Sequence, residues 1–296
     1  MLAAGHSVVC IDNLITGRRG NIAHLDGHAL FTFVQHDIIE PLPADWDVQA
    51  VFNLASPASP IGYFDYPIET ARVNAEGTYR MLDLARRHTA KFLQASTSEV
   101  YGEPERHPQR EDYWGNVNPH GIRACYDEGK RYAEALTMDF YRVHGLDARL
   151  IRIFNTYGPR SDPDDGRVVP NFVAKALKDE PLPIYGDGSI TRSFCYVSDL
   201  VRGILKAMFS GGTTAQVYNL GNPAEFTLLE LANLVVELTG SRSAIELQPP
   251  REDDPTRRRP DIERAKVDLG WEPEIPLAQG LRPTIDWFRQ ELGVRR

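Results

Sequence analysis

The chain has 296 residues, 42% of them hydrophobic and 25% charged, with 41 acidic against 33 basic side chains and a formal net charge of −8. That composition is ordinary for a folded globular protein and excludes a disordered chain, and the acidic balance excludes a general nucleic-acid binder, which needs a cationic face against phosphates. The three cysteines, Cys10, Cys125 and Cys195, lack metal-like spacing, and no signal pattern or apolar run of about 18 residues is present, so a cytoplasmic protein with free thiols, no metal site and no membrane segment is expected.

In chain order, five runs rich in Val, Ile, Phe and Leu read as buried strands: Ser7 to Ile11, Leu30 to Gln35, Ala50 to Leu54, Lys91 to Ala95 and Ala148 to Ile153. Between them, Pro67 to His88 and Tyr126 to His144 carry apolar residues at helical spacing, such as Met81 with Ala85 and Leu136 with Phe140. Strand and helix in alternation predict an α/β protein with a doubly wound parallel sheet. Beyond Pro159 the pattern loosens around the helical stretches Pro170 to Lys178 and Thr227 to Thr239 and the strand Leu182 to Tyr185, which predicts a smaller α/β cap. A strand and helix near Phe194 to Met208 are expected to return to the sheet. The predicted division is residues 1–158 with 193–221 as a dinucleotide-binding domain, and residues 159–192 with 222–296 as the cap.

Val8 to Asn13 ends a strand on an acid, where a dinucleotide-binding fold places the carboxylate that bonds the adenosine ribose. Asp12 in that role favours NAD over NADP, although the nearby Arg18 and Arg19 soften the preference, and an Asp-Asn turn after an ordinary strand remains open. The strand and Gly-rich turn that hold the pyrophosphate in such folds do not precede Asp12 in this sequence. Met1 to His6 reads instead as a last helical turn with its Gly stop. The natural start is therefore expected about 20 residues upstream, and the 296-residue chain is expected to express poorly and to bind NAD weakly.

Tyr126 and Lys130 lie four apart on a helical stretch and share a face. A phenol needs about 4 kcal/mol to act as a base near neutral pH, and a cation about 4 Å away at an effective dielectric of 20 supplies roughly that. Ser96 to Gly102 follows a strand directly and puts hydroxyls and a carboxylate where open α/β sheets bind ligands. A loop capped by Ser and Thr is the plainer alternative. The run Arg257-Arg258-Arg259, flanked by Asp253, Asp254 and Asp261, reads equally as a solvated strip or a pocket wall.

Several blocks together resemble the UDP-glucuronate decarboxylase (UDP-xylose synthase) family of extended short-chain dehydrogenases/reductases, from about Gly5 to Phe288. They are Ser56 to Pro60, Thr97 to Gly102, Tyr113 to Pro119, Cys125 to Lys130, Phe154 to Arg160 and Arg192 to Asp199. The resemblance implies Tyr126 as catalytic base with Lys130 beside it, Thr97 or Ser98 as hydroxyl partner and Glu99 as acid/base at the sugar ring. It implies NAD contacts at Asp12, Asn13, Thr16, Gly17, Asp37, Leu54, Ala55 and Asn74, as well as at Tyr126 and Lys130. For the UDP-sugar it implies Ser59, Arg123, Asn155, Arg160, Tyr185, Arg192 and Arg258, with Arg257 or Arg259 able to replace Arg258 after a one-residue shift. The implied reaction is redox-neutral: oxidation at C4, loss of carbon dioxide from C5, then return of the hydride. A homodimer through the helices at Pro67 to His88 and Tyr126 to His144 is also implied. Two alternatives stand beside it. One is a nucleotide-sugar 4,6-dehydratase, which carries an Asp-Glu pair where Ser98-Glu99 stands; the other is a non-catalytic nucleotide-sugar binder, favoured by the missing Gly-rich turn.

Overall fold

The apolar runs of the first half become parallel strands, and the computed structural model describes them within residues 1–249 and 257–294. β1 (Val8–Asp12) pairs in parallel with β2 (Phe31–Gln35) as a two-stranded sheet. β3 (Ala50–Asn53) is followed by three helical stretches, α1 (Pro60–Asp65), α2 (Pro67–Arg72) and α3 (Thr78–Arg87), the last two joined through a π-helical turn at Val73–Gly77. β4 (Lys91–Thr97), α4 (Ala124–His144) and β5 (Ala148–Ile153) complete the first half.

The second half holds β6 (Thr156–Tyr157), α5 (Val168–Leu177), β7 (Leu182–Tyr185), β8 (Thr191–Ser193), β9 (Cys195–Tyr196) and α6 (Val197–Phe209). β10 (Val217–Leu220), β11 (Glu225–Thr227), α7 (Leu228–Thr239), β12 (Ile245–Gln248), β13 (Arg257–Arg258), α8 (Glu263–Leu269) and α9 (Leu277–Glu291) follow. The main sheet runs β10-β5-β4-β3, all parallel. β4 lies inside it with six of its seven residues buried, as expected for a strand covered on both faces.

Three expectations are corrected. β1 and β2 contain no buried residue, with the second and fifth positions of each exposed, because among the described residues they pair only with each other. β9 pairs with β6 and not with the main sheet; α6 alone returns there, packing against β4, β5 and β10. β10, which carries Asn219 among its apolar residues, was not expected as a strand and forms the sheet's edge.

Apolar burial is divided. One cluster gathers α5, β7, α7 and α9 through Phe172, Ile184, Val235 and Phe288. Others flank the sheet, one around Leu82, Phe92 and Ala148 and one around Leu93, Ile151, Tyr218 and Trp271. α8 packs on this last cluster through Ala265 and Leu269. α7 starts at a complete capping box, in which Thr227 and Glu230 each accept from the other's backbone N–H, an arrangement contributing on the order of 1 kcal/mol. Among the described residues no helix is long and apolar enough to cross a membrane.

Candidate active site

The carboxyl end of β4 turns sharply, and the turn aims its side chains into a cavity. Thr97 caps a 3-10 turn over Ser98–Tyr101 by accepting from the Glu99 N–H at 3.2 Å. Gly102 ends it at φ +59°, with its Cα so close to the Asn116 backbone that any side chain would collide with it. The Glu103 N–H donates to the Asn116 carbonyl and the Asn116 N–H to the Tyr101 carbonyl. Thr97, Ser98 and Glu99 are all buried and line a cavity of about 510 Å³ with Tyr126 and Lys130.

Tyr126 and Lys130 are on one face of α4, both buried. The Thr97 hydroxyl acts on the phenol and favours its ionised form, and the Tyr126 ring stacks on Tyr63 at 5.2 Å between centroids. The Lys130 ammonium donates to the Ala95 carbonyl at 3.1 Å and lies 5.8 Å from the centre of the Tyr126 ring. Burial pushes Lys130 down to about 7. Burial also pushes Tyr126 up to about 12, with the Thr97 bond opposing and the charges of Glu99 and Asp127 adding to the rise. Both groups therefore favour their neutral forms more than free side chains do.

Glu99 meets two guanidiniums at the cavity wall. Its carboxylate accepts from Arg123 and, at 2.7 Å, from Arg258. Arg258 is the buried member of its run, whereas Arg257 is exposed and Arg259 reaches Glu225 at 3.6 Å. Of the acids flanking the run, Asp253 and Asp254 lie outside the described residues. β13 sets this selection by pairing Arg258 with Arg192 of β8. Gln109 reinforces it: its backbone N–H donates to the Arg259 carbonyl, its side-chain oxygen accepts from the Arg259 N–H at 2.8 Å, and its carbonyl accepts from Asp261. Asn219 of β10 binds the carbonyls of both Gln109 and Asp261.

The remaining candidates divide by cavity. Asn155, Arg160, Tyr185, Arg192, Arg123 and Arg258 line the large one, Asn155 donating to the Ser193 carbonyl and Arg160 to that of Asn21. Asp12, Asn13, Thr16, Gly17, Asp37, Leu54 and Ala55 line a second cavity of about 130 Å³, and Leu54 and Ser56 belong to both. Asn13 donates to Asp37 at 2.9 Å, and Asp12 accepts from the Leu14 N–H. Two candidates face neither cavity. Ser59 caps α1 by accepting from the Gly62 N–H, and Asn74 is buried between α2 and α4, donating to Ser56 and to the Thr70 carbonyl. No group of residues suited to a metal ion occurs among those described.

Sequence reasoning assigned no role to Tyr63, Gln109, Asn219 or Asp127. Tyr63 is buried at the cavity wall with the Arg123 guanidinium 5.6 Å from its ring centre. Asp127 stands one helical turn from Arg123, which it meets at 3.8 Å, and that i,i+4 spacing is the signal that could have found it.

A parallel sheet with a Tyr-Lys helix and hydroxyls at the end of its central strand defines the class of extended short-chain dehydrogenases/reductases. The chain belongs to the GDP-mannose 4,6 dehydratase family, whose sequence profile matches residues 1–284. It is 52% identical over 292 residues to UDP-glucuronic acid decarboxylase 4 of Arabidopsis thaliana, which covers 99% of this chain and 65% of that protein. UDP-glucuronic acid decarboxylase 1 of Danio rerio is also 52% identical, over 99% of this chain and 69% of its own length. The chain thus spans about two thirds of the length of these relatives. The fold is similar to that of dTDP-glucose 4,6-dehydratase from Streptomyces venezuelae, solved with NAD bound, at a TM-score of 0.88 and 26% identity over 99% of this chain and 92% of that one.

Proposed function

We propose that the chain is the catalytic part of an NAD-dependent UDP-glucuronate decarboxylase that forms UDP-xylose through a 4-keto sugar. The observation that carries the reading is Glu99, buried at the cavity wall between two arginines and beside the Thr97–Tyr126 pair. Arginines of that cavity suit a sugar carboxylate and a diphosphate, which they can bind bidentately. Ser98 stands where a dehydratase needs an acid to protonate a departing hydroxyl, and a serine is a poor acid at neutral pH.

The residues present fit NAD at two points. The second cavity places the Asp12 and Asp37 carboxylates and Asn13 around a space suited to a ribose edge. The large cavity brings Tyr126, Lys130 and Ser56 to the end of the sheet, where open α/β folds take their ligands. When bound, NAD supplies a reversible hydride acceptor for C4. Tyr126 would take the C4 hydroxyl proton, with Thr97 orienting the phenol. Carbon dioxide leaves once a carbonyl at C4 can hold the released electron pair, and Glu99 would manage the proton at C5. Arg123, Arg192 and Arg258 would hold the substrate's anionic groups, with Asn155, Arg160 and Tyr185 around the nucleotide.

The proposed division into an NAD-binding domain of residues 1–158 and 193–221 and a cap of residues 159–192 and 222–296 draws on the separate apolar cluster over α5, β7, α7 and α9, although α8 packs with the sheet. A homodimer through α2, α3 and α4 draws support from their exposed apolar residues Ile68, Tyr79, Tyr132 and Val143. Three free cysteines accord with the cytoplasm. Incubation with UDP-glucuronate and NAD, with mass-spectrometric detection of products, tests the activity. Carbon dioxide and a pentose nucleotide are expected, and a 4-keto-6-deoxy sugar from UDP-glucose or dTDP-glucose would favour the dehydratase.

A further inference from the structure

A row of largely buried polar side chains crosses the main sheet behind the cavity, and the proposed reaction gives it no task. Ser96 of β4 stands opposite Arg152 of β5, and Arg152 opposite Asn219 of β10, so the strand register sets the three side by side. Arg152 grips the Glu134 carboxylate of α4 through two bonds of 2.9 and 2.7 Å, and Ser96 donates to the same carboxylate at 2.6 Å. Glu134 follows Tyr126 and Lys130 at the same four-residue spacing along α4, on one stripe of the helix. The Tyr101 hydroxyl joins the row together: it accepts from Arg152 at 2.9 Å and donates to the Asn219 side-chain oxygen at 2.7 Å. Burial pushes the Tyr101 phenol above its ordinary range, so it keeps its proton and remains a donor. Asn219 is fully buried, and its side-chain nitrogen donates to the carbonyls of Gln109 and Asp261, both at 3.0 Å. None of Tyr101, Glu134, Arg152 and Asn219 lines the large cavity.

We propose that Tyr101 and Asn219 are positioning residues, whose bond fixes the Glu99 turn against the segment that seats Arg258 and thereby sets how the site recognises the sugar carboxylate. The inference rests on the decarboxylase reading and deepens it. Tyr101 ends the 3-10 turn that carries Glu99. From Asn219 the path runs to Gln109, which holds the residues just after Arg258: it bonds the Arg259 backbone twice and accepts from the Asp261 N–H at 2.8 Å. Gln109 therefore steadies Arg258 from one side, while β8 orients it from the other. A guanidinium recognises a carboxylate through bonds of fixed fork geometry, so its placement decides how much of that recognition is realised. A buried polar network whose members are all satisfied rigidifies its surroundings. Apolar side chains could fill the same space without the cost of desolvation; what the row supplies is geometry.

The test is calorimetric titration of the parent and of Tyr101→Phe with UDP-glucuronate, UDP-glucose and UDP, which reads binding without turnover. Phenylalanine keeps the ring, stacked on Tyr113 at 6.0 Å between centroids, and deletes only the hydroxyl at the junction. The parent's preference for UDP-glucuronate over UDP-glucose should fall about fivefold or more in the variant, while UDP affinity stays within about twofold. Equal weakening toward all three ligands, or an unchanged preference, overturns the proposal. Tyr113→Phe removes a hydroxyl from the same aromatic cluster, one that accepts from the Glu105 N–H and lies off the path to Asn219. It should leave the preference within about twofold of the parent's, the size expected of a change outside the network. A matching loss there assigns the effect to packing and overturns the proposal. If Tyr101→Phe does not fold, Gln109→Met breaks the next link, the bond from the Arg259 N–H, and the same loss of preference is required of it. A parent without the preference overturns the proposal too, since no recognition is left to position. Failure of the decarboxylase reading looks different: a parent that prefers UDP-glucuronate yet releases no carbon dioxide from it when NAD is supplied.

Discussion

The two cavities solve opposite electrostatic problems. Around the smaller one, Asp12 is exposed and Asp37 is part-exposed; Asp12 accepts from the Leu14 N–H, and Asp37 from the Ile39 N–H and from Asn13. Around the larger one, Glu99 is buried and neutralised by residues 24 and 159 positions away. Solvent screens the first set of charges, so each contributes little to stability and can be given over to a ligand. The second set has no water to fall back on, so removing one partner strands another. The difference teaches that a carboxylate offered for recognition can stay in water, whereas one offered for reaction is buried and must carry its counter-charges with it.

The comparison breaks first at the reacting side. Tyr126→Phe should lower kcat by about 10³-fold or more, within the range for loss of a general base, with UDP affinity by calorimetry unchanged within a few-fold. Retention of a tenth of the parent rate would remove Tyr126 from that role. Arg258→Ala should destabilise the protein by about 3 kcal/mol in urea unfolding, the lower end for breaking a buried pair, because Arg123 still holds Glu99. Arg257→Ala, one residue away and exposed, should cost less than about 0.5 kcal/mol.

Lys130 sharpens the contrast through pH. Its folded value is depressed to about 7 against 10.5 for the ordinary side chain, so the unfolded chain binds the extra proton between those pH values and stability rises with pH across that window. Below about pH 7 the folded protein bears the full cost of a buried ammonium. Without cofactor, Lys130→Met should therefore raise Tm by several degrees at pH 6, and the gain should shrink as pH rises from 7 toward 10. A gain that grows with pH would contradict the depressed value. The smallest effect is expected at Asp12→Asn, with stability within about 0.5 kcal/mol and NAD affinity weakened about tenfold, the worth of one charge-assisted bond. Equal affinity for NAD in both proteins would dissociate Asp12 from the ribose.

Much of the fold was legible because it is local. β3, β5 and β7 lie within a residue of their apolar runs, since short Val, Ile and Leu segments bounded by turns leave few alternatives. Burial was less legible: β1 and β2 are as apolar as β5, yet composition does not say which face another element will cover. At the site, Thr97, Ser98, Glu99, Tyr126 and Lys130 were readable from spacing and from their place after a strand. The choice of Arg258 over its two neighbours was not, because it depends on the register of β13 against β8 and on the grip of Gln109. Asp127 carried a local signal in its i,i+4 spacing from Arg123, but the influence of Glu99 and Arg258 on it comes from farther along the chain.

The 159-residue interval between Glu99 and Arg258 also bears on how the molecule comes together. Contacts between distant positions close large loops and form late, so chains rich in them fold slowly. A ribosome delivers the β4 turn long before β13 exists, and until then the Glu99 carboxylate lacks half its counter-charge and favours hydration over burial. The large cavity is therefore among the last regions to dry out during folding, and a nascent chain released before β13 emerges would carry a sheet with an open, wet end where the reaction centre belongs.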